Sequence, residues 1–361
     1  MANYRNIHLF TQESTYATAL INVWAEHLDL KGNLIVFRNK NTHQFSYAHE
    51  TAKQILYIKN YLSFIFILFI KLIKAEKIII HFLPIGPSLL FWYIFPGLLK
   101  KVTWSVWGGD VYNFMNVHNT WKSRFYEKLR QNIIPKIPHI TAIIKEDFEV
   151  VKNYYGTRAD YQYAFYYIPL NYSYLNTIAP KSNDSIKKIL IGNSAVASNK
   201  HVEILTQLQK FAGKPVQLIV PLSYGNEGSY ADSVIEYGKK TFGEQFIPLT
   251  KMLSPKDYSD LLAEIDVAIM NQVRSQGLGN VLPLLYLKKK VYLRSDSTSY
   301  KYFKRINCKI YDTLQIKNQS LTQILDYSKK EHEQNHFIIT QEMSKEKCAE
   351  VWKPFVELNY N

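Results

Sequence analysis

Cysteine is scarce in this chain, with 2 residues among 361, which excludes a disulfide framework and a multi-cysteine metal site. The chain also lacks a long hydrophobic run. Residues 61–70 are apolar, but a membrane-spanning helix needs ~20 such residues, about twice that run. A longer apolar run, residues 78–99, contains His81 and three prolines, which break it into shorter elements. Because residues 1–5 lead directly into a strand-like segment, we predict no signal peptide and a cytoplasmic protein without a transmembrane helix.

Acidic residues are the second deficit. The chain has 44 Lys+Arg against 30 Asp+Glu, a net charge of +14, which is typical of proteins that bind nucleic acid, anionic membranes or phosphorylated ligands. AT-rich coding is an alternative source, because Lys, Asn, Tyr and Ile are all plentiful. Residues 51–138 hold 12 Lys+Arg and 3 Asp+Glu and are also the most apolar stretch. This coincidence favours a basic, apolar face that rests on an anionic membrane leaflet.

The order of elements predicts an α/β protein. Apolar strands such as residues 77–82 and 188–191 alternate with helices, including one predicted over residues 51–74, and this alternation indicates parallel βαβ units. The alternation lapses over residues 161–185 and then restarts. We therefore predict two Rossmann-like domains, residues 1–180 and 181–361, with the last helix able to pack back on the first domain. One large class of sugar-nucleotide transferases has this architecture, with ligands in the cleft between the domains.

Two clusters of polar residues follow strands of the first domain. Residues 104–112 read Trp-Ser-Val-Trp-Gly-Gly-Asp-Val-Tyr, and paired glycines let a backbone turn sharply or approach a ligand. Asp110 could serve there as a base or as an acceptor for a sugar hydroxyl, or it could belong to an ordinary turn. His81 closes an apolar strand, either at the rim of the cleft or as a core histidine. The candidate acceptor-side residues are Trp107, Gly108, Gly109 and Tyr112.

The second domain has corners suited to phosphate. Gly192-Asn193-Ser194 exposes backbone amides after a strand, and a helix follows, near Lys200; Ser198 or Asn199 could instead be a simple N-cap. Residues 271–280 form a glycine corner between a strand and a helix, where amides could reach a pyrophosphate. Tyr224 either stacks on a base or is a turn aromatic. The candidate donor-binding residues at the second corner are Arg274, Gln276, Gly277, Gly279 and Asn280.

Several catalytic signatures are missing from the sequence. It contains no Asp-x-Asp at a strand end, no Cys/His group with metal spacing, no Walker loop and no six-residue dinucleotide glycine pattern. We therefore expect neither a cofactor nor a tightly bound catalytic metal.

These clusters, in this order, resemble the 4-acetamido-4,6-dideoxy-D-galactose (Fuc4NAc) transferase family of enterobacterial common antigen synthesis. Two departures are Gly109, where the family pattern has alanine, and Ser275, where it has glutamine. The stretches that carry the resemblance are residues 80–82, 104–112, 189–194, 198–201, 220–224 and 274–279.

The resemblance implies a GT-B glycosyltransferase, with two Rossmann-like domains facing across a cleft. Such an enzyme moves a sugar from a dTDP-activated donor to an undecaprenyl-diphosphate-linked saccharide at the cytoplasmic face of the inner membrane. On this hypothesis the corners of the second domain hold the donor diphosphate, and Asp110 or His81 faces the acceptor as a candidate catalytic residue.

Two other functions fit parts of the sequence. A nucleotide-sugar epimerase has the same fold, but it does not need a basic, apolar face. A non-enzymatic polyanion-binding protein would account for the net charge. Because the charge surplus coincides with aliphatic helices and not with interleaved aromatic residues, we expect no nucleic acid among the partners.

Overall fold

The structure is a computed structural model that describes residues 4–38, 45–58, 61–116, 120–168, 172–177, 186–225 and 228–357. The backbone forms two compact units. Unit 1 comprises Met1–Pro169 and Met343–Asn361, and unit 2 comprises Leu170–Glu342. The predicted domain boundary at residue 180 lies outside the described residues.

Each unit is built on one parallel sheet. The order is β3-β2-β1-β4-β5-β6-β7 in unit 1 and β10-β9-β8-β11-β12-β13 in unit 2. Strands of unit 1 are β1 (Asn6–Phe10), β2 (Asn33–Phe37), β3 (Ile55–Tyr57), β4 (Lys77–His81), β5 (Val102–Ser105), β6 (His139–Ala142) and β7 (Asp160–Tyr163). Strands of unit 2 are β8 (Lys187–Ile191), β9 (Val216–Pro221), β10 (Phe246–Leu249), β11 (Val267–Met270), β12 (Lys290–Leu293) and β13 (Tyr311–Asp312).

Helices connect these parallel strands. Those before β8 are α1 (Thr15–His27), α2 (His49–Ala52), α3 (Tyr61–Lys74), α4 (Leu89–Ile94), α5 (Trp121–Ile133), α6 (Lys145–Tyr155) and α7 (Tyr172–Thr177). The others are α8 (His201–Leu208), α9 (Tyr230–Phe242), α10 (Pro255–Glu264), α11 (Leu278–Tyr286), α12 (Thr298–Arg305), α13 (Leu321–Leu325), α14 (Lys329–Glu342) and α15 (Lys345–Val356). None of the helices in the described residues combines the length and the hydropathy needed to span a bilayer.

The central strands are buried because helices cover both faces of each sheet. Every residue of β1, β2, β5, β11 and β12 is buried. Local sequence also fixes helix starts: the Ser254 side chain accepts a hydrogen bond from the Asp257 amide at 3.1 Å, and Pro255 occupies the first turn. The alternating strands and helices of the prediction are confirmed, as are the two Rossmann-like sheets.

Two local predictions are refined by the structure. The stretch of residues 51–74, predicted as mostly helix, also contains β3, whose three residues pair with β2 in the register Ile35↔Ile55. The lapse predicted from residue 161 begins inside β7, an edge strand that pairs with β6. Both strands are short edge strands, and their pairing with a neighbouring strand overrides weak local signals. The rest of the predicted linker includes α7, and its residues 178–185 lie outside the described residues.

Candidate active site

The strand order of each sheet contains one switch point. In unit 2 the chain runs from β8 outward to β9 and β10, then returns to the other side of β8 as β11. In unit 1 the same reversal lies between β1 and β4. At such a point the loops after the two central strands diverge and leave a crevice at the carboxyl edge of the sheet, where ligands of open α/β sheets bind. The two phosphate corners of the sequence, after β8 and after β11, flank the switch point of unit 2.

Asn193 joins these two corners. Its Oδ1 accepts hydrogen bonds from Gln272 Nε2 at 3.2 Å and from Gln276 Nε2 at 3.3 Å. Its Nδ2 donates to the Tyr224 hydroxyl at 3.0 Å, so the loop after β9 is tied to the same side chain. Ser198 Oγ donates to Gln276 Oε1 at 2.6 Å. Three loops from neighbouring strands therefore form one polar surface at the carboxyl edge of unit 2.

The loop after β8 is closed by Asn199. This buried side chain donates through Nδ2 to the Ser194 carbonyl at 2.9 Å, and its Oδ1 accepts from the Asn193 amide at 3.3 Å. Gly192 adopts φ +69°, the left-handed region that favours glycine. A Cβ at Gly192 would lie 2.4 Å from His201 Nε2, so the turn also leaves no room for a side chain.

Positive groups also lie on these two corners. Gly277, at φ +68°, precedes α11, and the first-turn amides of Leu278 and Gly279 have no intrahelical partner in helix geometry. Together with the helix dipole, such amides favour an anion. Lys200 is exposed at the N-terminus of α8, and Arg274 donates to the Ser275 carbonyl at 3.3 Å. Asn280 lies in the first turn of α11, where its amide donates to the Gly277 carbonyl.

His201 lies beneath the corner after β8. Its Nδ1 and its backbone amide are 3.1 and 3.2 Å from the Tyr230 hydroxyl. The Tyr230 hydroxyl therefore accepts from the His201 amide and is also within hydrogen-bonding distance of the ring. Burial lowers the pKa of His201 to about 4. The Nε2 atom is buried, has no hydrogen-bond partner among the residues that the structure describes, and points toward Gly192.

In unit 1 the structure places Asp110 in the interior, with an exposure of 0%. Its Oδ2 accepts from Trp104 Nε1 at 2.7 Å and from the Leu83 amide at 3.0 Å, and its Oδ1 accepts from the Trp107 amide at 2.8 Å. Burial raises the pKa of the Asp110 carboxyl, while these donors and Arg130 oppose the shift. The carboxyl group thus holds the loops after β4 and β5 together.

His81 also lies inside unit 1, with 1% exposure. Its Nε2 is 3.1 Å from His8 Nδ1, and its Nδ1 contacts the Tyr166 hydroxyl. Asn33 donates through Nδ2 to the Val356 carbonyl at 2.8 Å, so its Oδ1, 3.2 Å away, accepts from His8 Nε2. Burial lowers the pKa of His8 to about 4 and the pKa of His81 well below its usual value. Both rings are therefore neutral at pH 7.

The surface residue of this loop is Trp107, which is 37% exposed. Its ring contacts Tyr16 edge-on, with centroids 6.0 Å apart, and Tyr166 at 4.1 Å. Gly109 is exposed beside it, and Gly108 is buried at φ +83°. Tyr112 is buried and donates to Asp147 Oδ1 of α6 at 2.7 Å, so it supports the loop from inside.

Sequence reasoning missed several residues at these edges. Glu13, in the loop after β1, accepts from the Tyr47 and Tyr57 hydroxyls at 2.9 and 2.8 Å and is buried. Gln272 lies in the corner predicted over residues 271–280 but was not among the named candidates, and Tyr166 was missed. A local signal existed for Glu13 and Gln272, because each lies just after a central strand. Tyr166 had no such signal, because its partners are distant in sequence.

Comparison with known proteins identifies the family. A family model described as 4-alpha-L-fucosyltransferase, glycosyl transferase group 56, matches residues 70–304, more than half of the chain.

Three similar structures show the fold. A glycosyltransferase from Rickettsia africae ESF-5 is 14% identical, with a TM-score of 0.66, over 99% of this chain and 100% of that one. HepE (Alr3699) of Anabaena, solved with UDP and glucose, is 10% identical, with a TM-score of 0.64, over 96% of this chain and 98% of HepE. WaaG, a glycosyltransferase of lipopolysaccharide biosynthesis, is 10% identical, with a TM-score of 0.58, over 96% and 98%.

The two parallel sheets and these structures establish the GT-B fold, and the family match confirms the resemblance to the Fuc4NAc transferase family. The chain therefore belongs to glycosyl transferase group 56 and is a glycosyltransferase.

Proposed function

We propose that the polar surface of unit 2 binds the diphosphate of a nucleotide-sugar donor. The observation that carries this proposal is the convergence of the corners after β8 and β11 on Asn193, at the switch point of the sheet. The first turn of α11, Arg274 and Lys200 bring positive charge to the same edge. HepE, a protein of similar fold, binds UDP and glucose.

In the proposed reaction an acceptor hydroxyl oxygen forms a bond to the anomeric carbon, and the bond between that carbon and the donor phosphate oxygen breaks. The acceptor hydroxyl releases its proton to solvent water, and the nucleoside diphosphate leaves with the electron pair of the broken bond and therefore with added negative charge. We propose that the first-turn amides of α11, together with Arg274 and Lys200 on the same corners, stabilise that charge. We therefore propose that transfer needs no metal, and we expect full activity in EDTA.

Family membership supports a dTDP-activated dideoxy-amino sugar as the donor and an undecaprenyl-diphosphate-linked saccharide as the acceptor. Trp107, exposed at the carboxyl edge of unit 1, is our candidate for contact with that saccharide. Asp110 and His81 are buried and fully engaged, so we assign them positioning roles behind Trp107. Neither residue offers an atom at the surface to take a proton from an acceptor.

Titration of the protein with dTDP by calorimetry tests the donor site. We expect Asn193→Ala to abolish binding, because it releases Tyr224, Gln272 and Gln276 together. Asn318→Ala is the matched control, since Asn318 is exposed in the same unit, and it should bind as wild type does. Equal affinity of the two variants would refute the site. A panel of dTDP- and UDP-sugars, assayed with and without acceptor, would then identify the donor and reveal any epimerase activity.

A further inference from the structure

The helical face of unit 1 that carries α3, α4 and α5 has an unusual surface. The connections β3→β4, β4→β5 and β5→β6 all cross the sheet in one direction, and right-handed crossovers place their helices on one face. Ring contacts of Phe69 with Phe91 and Phe95, with centroids 6.1 and 4.6 Å apart, join α3 to α4. Arg130 of α5 donates to the carbonyl of Pro84, just before α4, at 3.1 Å.

Large apolar side chains are exposed along these helices. Trp121 of α5 is 73% exposed, Ile94 of α4 is 63% exposed and Ile70 of α3 is 58% exposed. Isolated apolar residues are common on any protein surface, but large contiguous patches mark interaction sites. Among the side chains that the structure describes on this face, which we name the α3–α5 face, Ile73, Tyr93 and Phe125 are also exposed.

The exposed charges described on α3, α4 and α5 are positive. Helix α6, whose crossover β6→β7 runs in the same direction, adds the partly exposed Glu146 and Glu149 to this side of the sheet. Residues 51–138 contain three acids. Two of them, Asp110 and Glu127, are buried, and Glu76 pairs with Arg5 at 2.6 Å. The exposed lysines include Lys74, Lys100, Lys122 and Lys128. The charge surplus found in the sequence therefore reaches the surface, while its few counter-charges are buried or paired.

Helix α5 combines both properties. Trp121 and Phe125 are one turn apart and both exposed, and the Lys122 ammonium lies 5.8 Å from the Trp121 ring centroid. Glu127, the single acid of α5, faces inward and accepts from Asn113 at 2.9 Å. Aromatic residues beside lysines are typical of helices that lie in the interface of a bilayer, where the ring enters the headgroup region and the ammonium meets lipid phosphate.

We propose that the α3–α5 face docks on an anionic phospholipid bilayer, with α5 in the headgroup region and no helix crossing it. This inference deepens the proposed function. It rests on that function for the reason why the enzyme docks, because docking would bring the enzyme to a lipid-linked acceptor. Vesicle binding is measured without donor or acceptor. A failure here would leave the dTDP titration standing, and a failed dTDP titration would leave vesicle binding standing.

Flotation of the full chain with vesicles of phosphatidylcholine, with and without 30% phosphatidylglycerol, tests the proposal. We expect binding to the anionic vesicles alone. Trp121→Ser with Phe125→Ser should abolish it, whereas Met252→Ser with Phe337→Ser, two exposed apolar residues of unit 2, should bind as wild type does. Because a lysine near an anionic surface contributes about fivefold in affinity, Lys122→Gln with Lys128→Gln should weaken binding by about 30-fold.

Lipids brominated on the acyl chain locate the contact. We expect them to quench the fluorescence of the wild type and to lose most of that effect in Trp121→Phe, which keeps an aromatic anchor. Wild-type flotation by the Trp121/Phe125 variant would overturn the proposal, as would unchanged quenching in Trp121→Phe. Equal binding to both vesicle types, or tighter binding to RNA than to anionic vesicles, would also overturn it.

Discussion

Replacing Gly192 by alanine should damage unit 2 through two separable effects. At φ +69° a residue with a Cβ is strained by about 1–2 kcal/mol relative to glycine. The new Cβ would also lie 2.4 Å from His201 Nε2 and 3.1 Å from Asn199 Oδ1, and overpacking of this kind costs about 1–3 kcal/mol. We therefore expect Gly192→Ala to lower the free energy of unfolding of unit 2 by about 2–5 kcal/mol. It should also weaken dTDP binding, because Asn193 follows directly.

A second glycine of unit 2 separates the two effects. Gly213 adopts φ +78°, but a Cβ there would meet no described atom within 4 Å. Gly213→Ala should therefore cost only the backbone strain of about 1–2 kcal/mol. Adding His201→Ala to Gly192→Ala removes the imidazole that the new methyl group meets. The double-mutant cycle should then show a favourable coupling of about 1–3 kcal/mol.

Spectroscopy can assign the damage to a unit, because unit 2 contains no tryptophan. Tryptophan fluorescence therefore follows unit 1, while far-UV circular dichroism follows both units. In urea, Gly192→Ala should shift the dichroism transition and leave the fluorescence transition unchanged. Equal destabilisation by Gly192→Ala and Gly213→Ala would refute the steric argument, and so would a cycle without coupling.

Two further predictions concern buried ionisable groups. Burial lowers the pKa of His8 and of His201 from 6.5 to about 4. Below pH 6.5 these histidines are therefore protonated in the unfolded chain, whereas in the native protein they stay neutral until near pH 4. Stability should fall by about 2 kcal/mol per histidine between pH 8 and pH 5, and urea midpoints that stay flat over this range would contradict the burial argument. Asp110→Asn replaces one carboxylate oxygen by an NH₂ group, which faces at least one of the three N–H donors that now bind the carboxyl. The free energy of unfolding of unit 1, followed by tryptophan fluorescence, should therefore fall by about 1–3 kcal/mol. Asp160 is exposed, so the stability of Asp160→Asn should stay within about 0.5 kcal/mol of wild type. An equally small loss of stability in Asp110→Asn would rule out the role of Asp110 in holding the loops after β4 and β5 together.

The sequence predicted the two sheets and the corners after β8 and β11, because apolar strands and glycine turns leave local signals. It could not show how those corners join. Asn193 meets Gln272 and Gln276, which lie 79 and 83 residues further along the chain. That contact exists because β11 returns to the side of β8, a pairing decided by the packing of the whole sheet. Residue spacing along the chain carries no trace of it.

Asp110 shows that a motif which suggests a catalytic carboxyl can also hold a loop in place. An acid after two glycines at a strand end is what a catalytic carboxyl would look like in sequence. In the structure Gly108, at φ +83°, turns the chain back, so that the Asp110 carboxyl meets the amide of Trp107 three residues earlier. Trp104 supplied a clue, since a buried indole N–H needs an acceptor and Asp110 is a nearby candidate in sequence. The tryptophan-glycine-aspartate segment is therefore best explained as a clamp that fixes the loop presenting Trp107, and its most specific residue acts from beneath the surface.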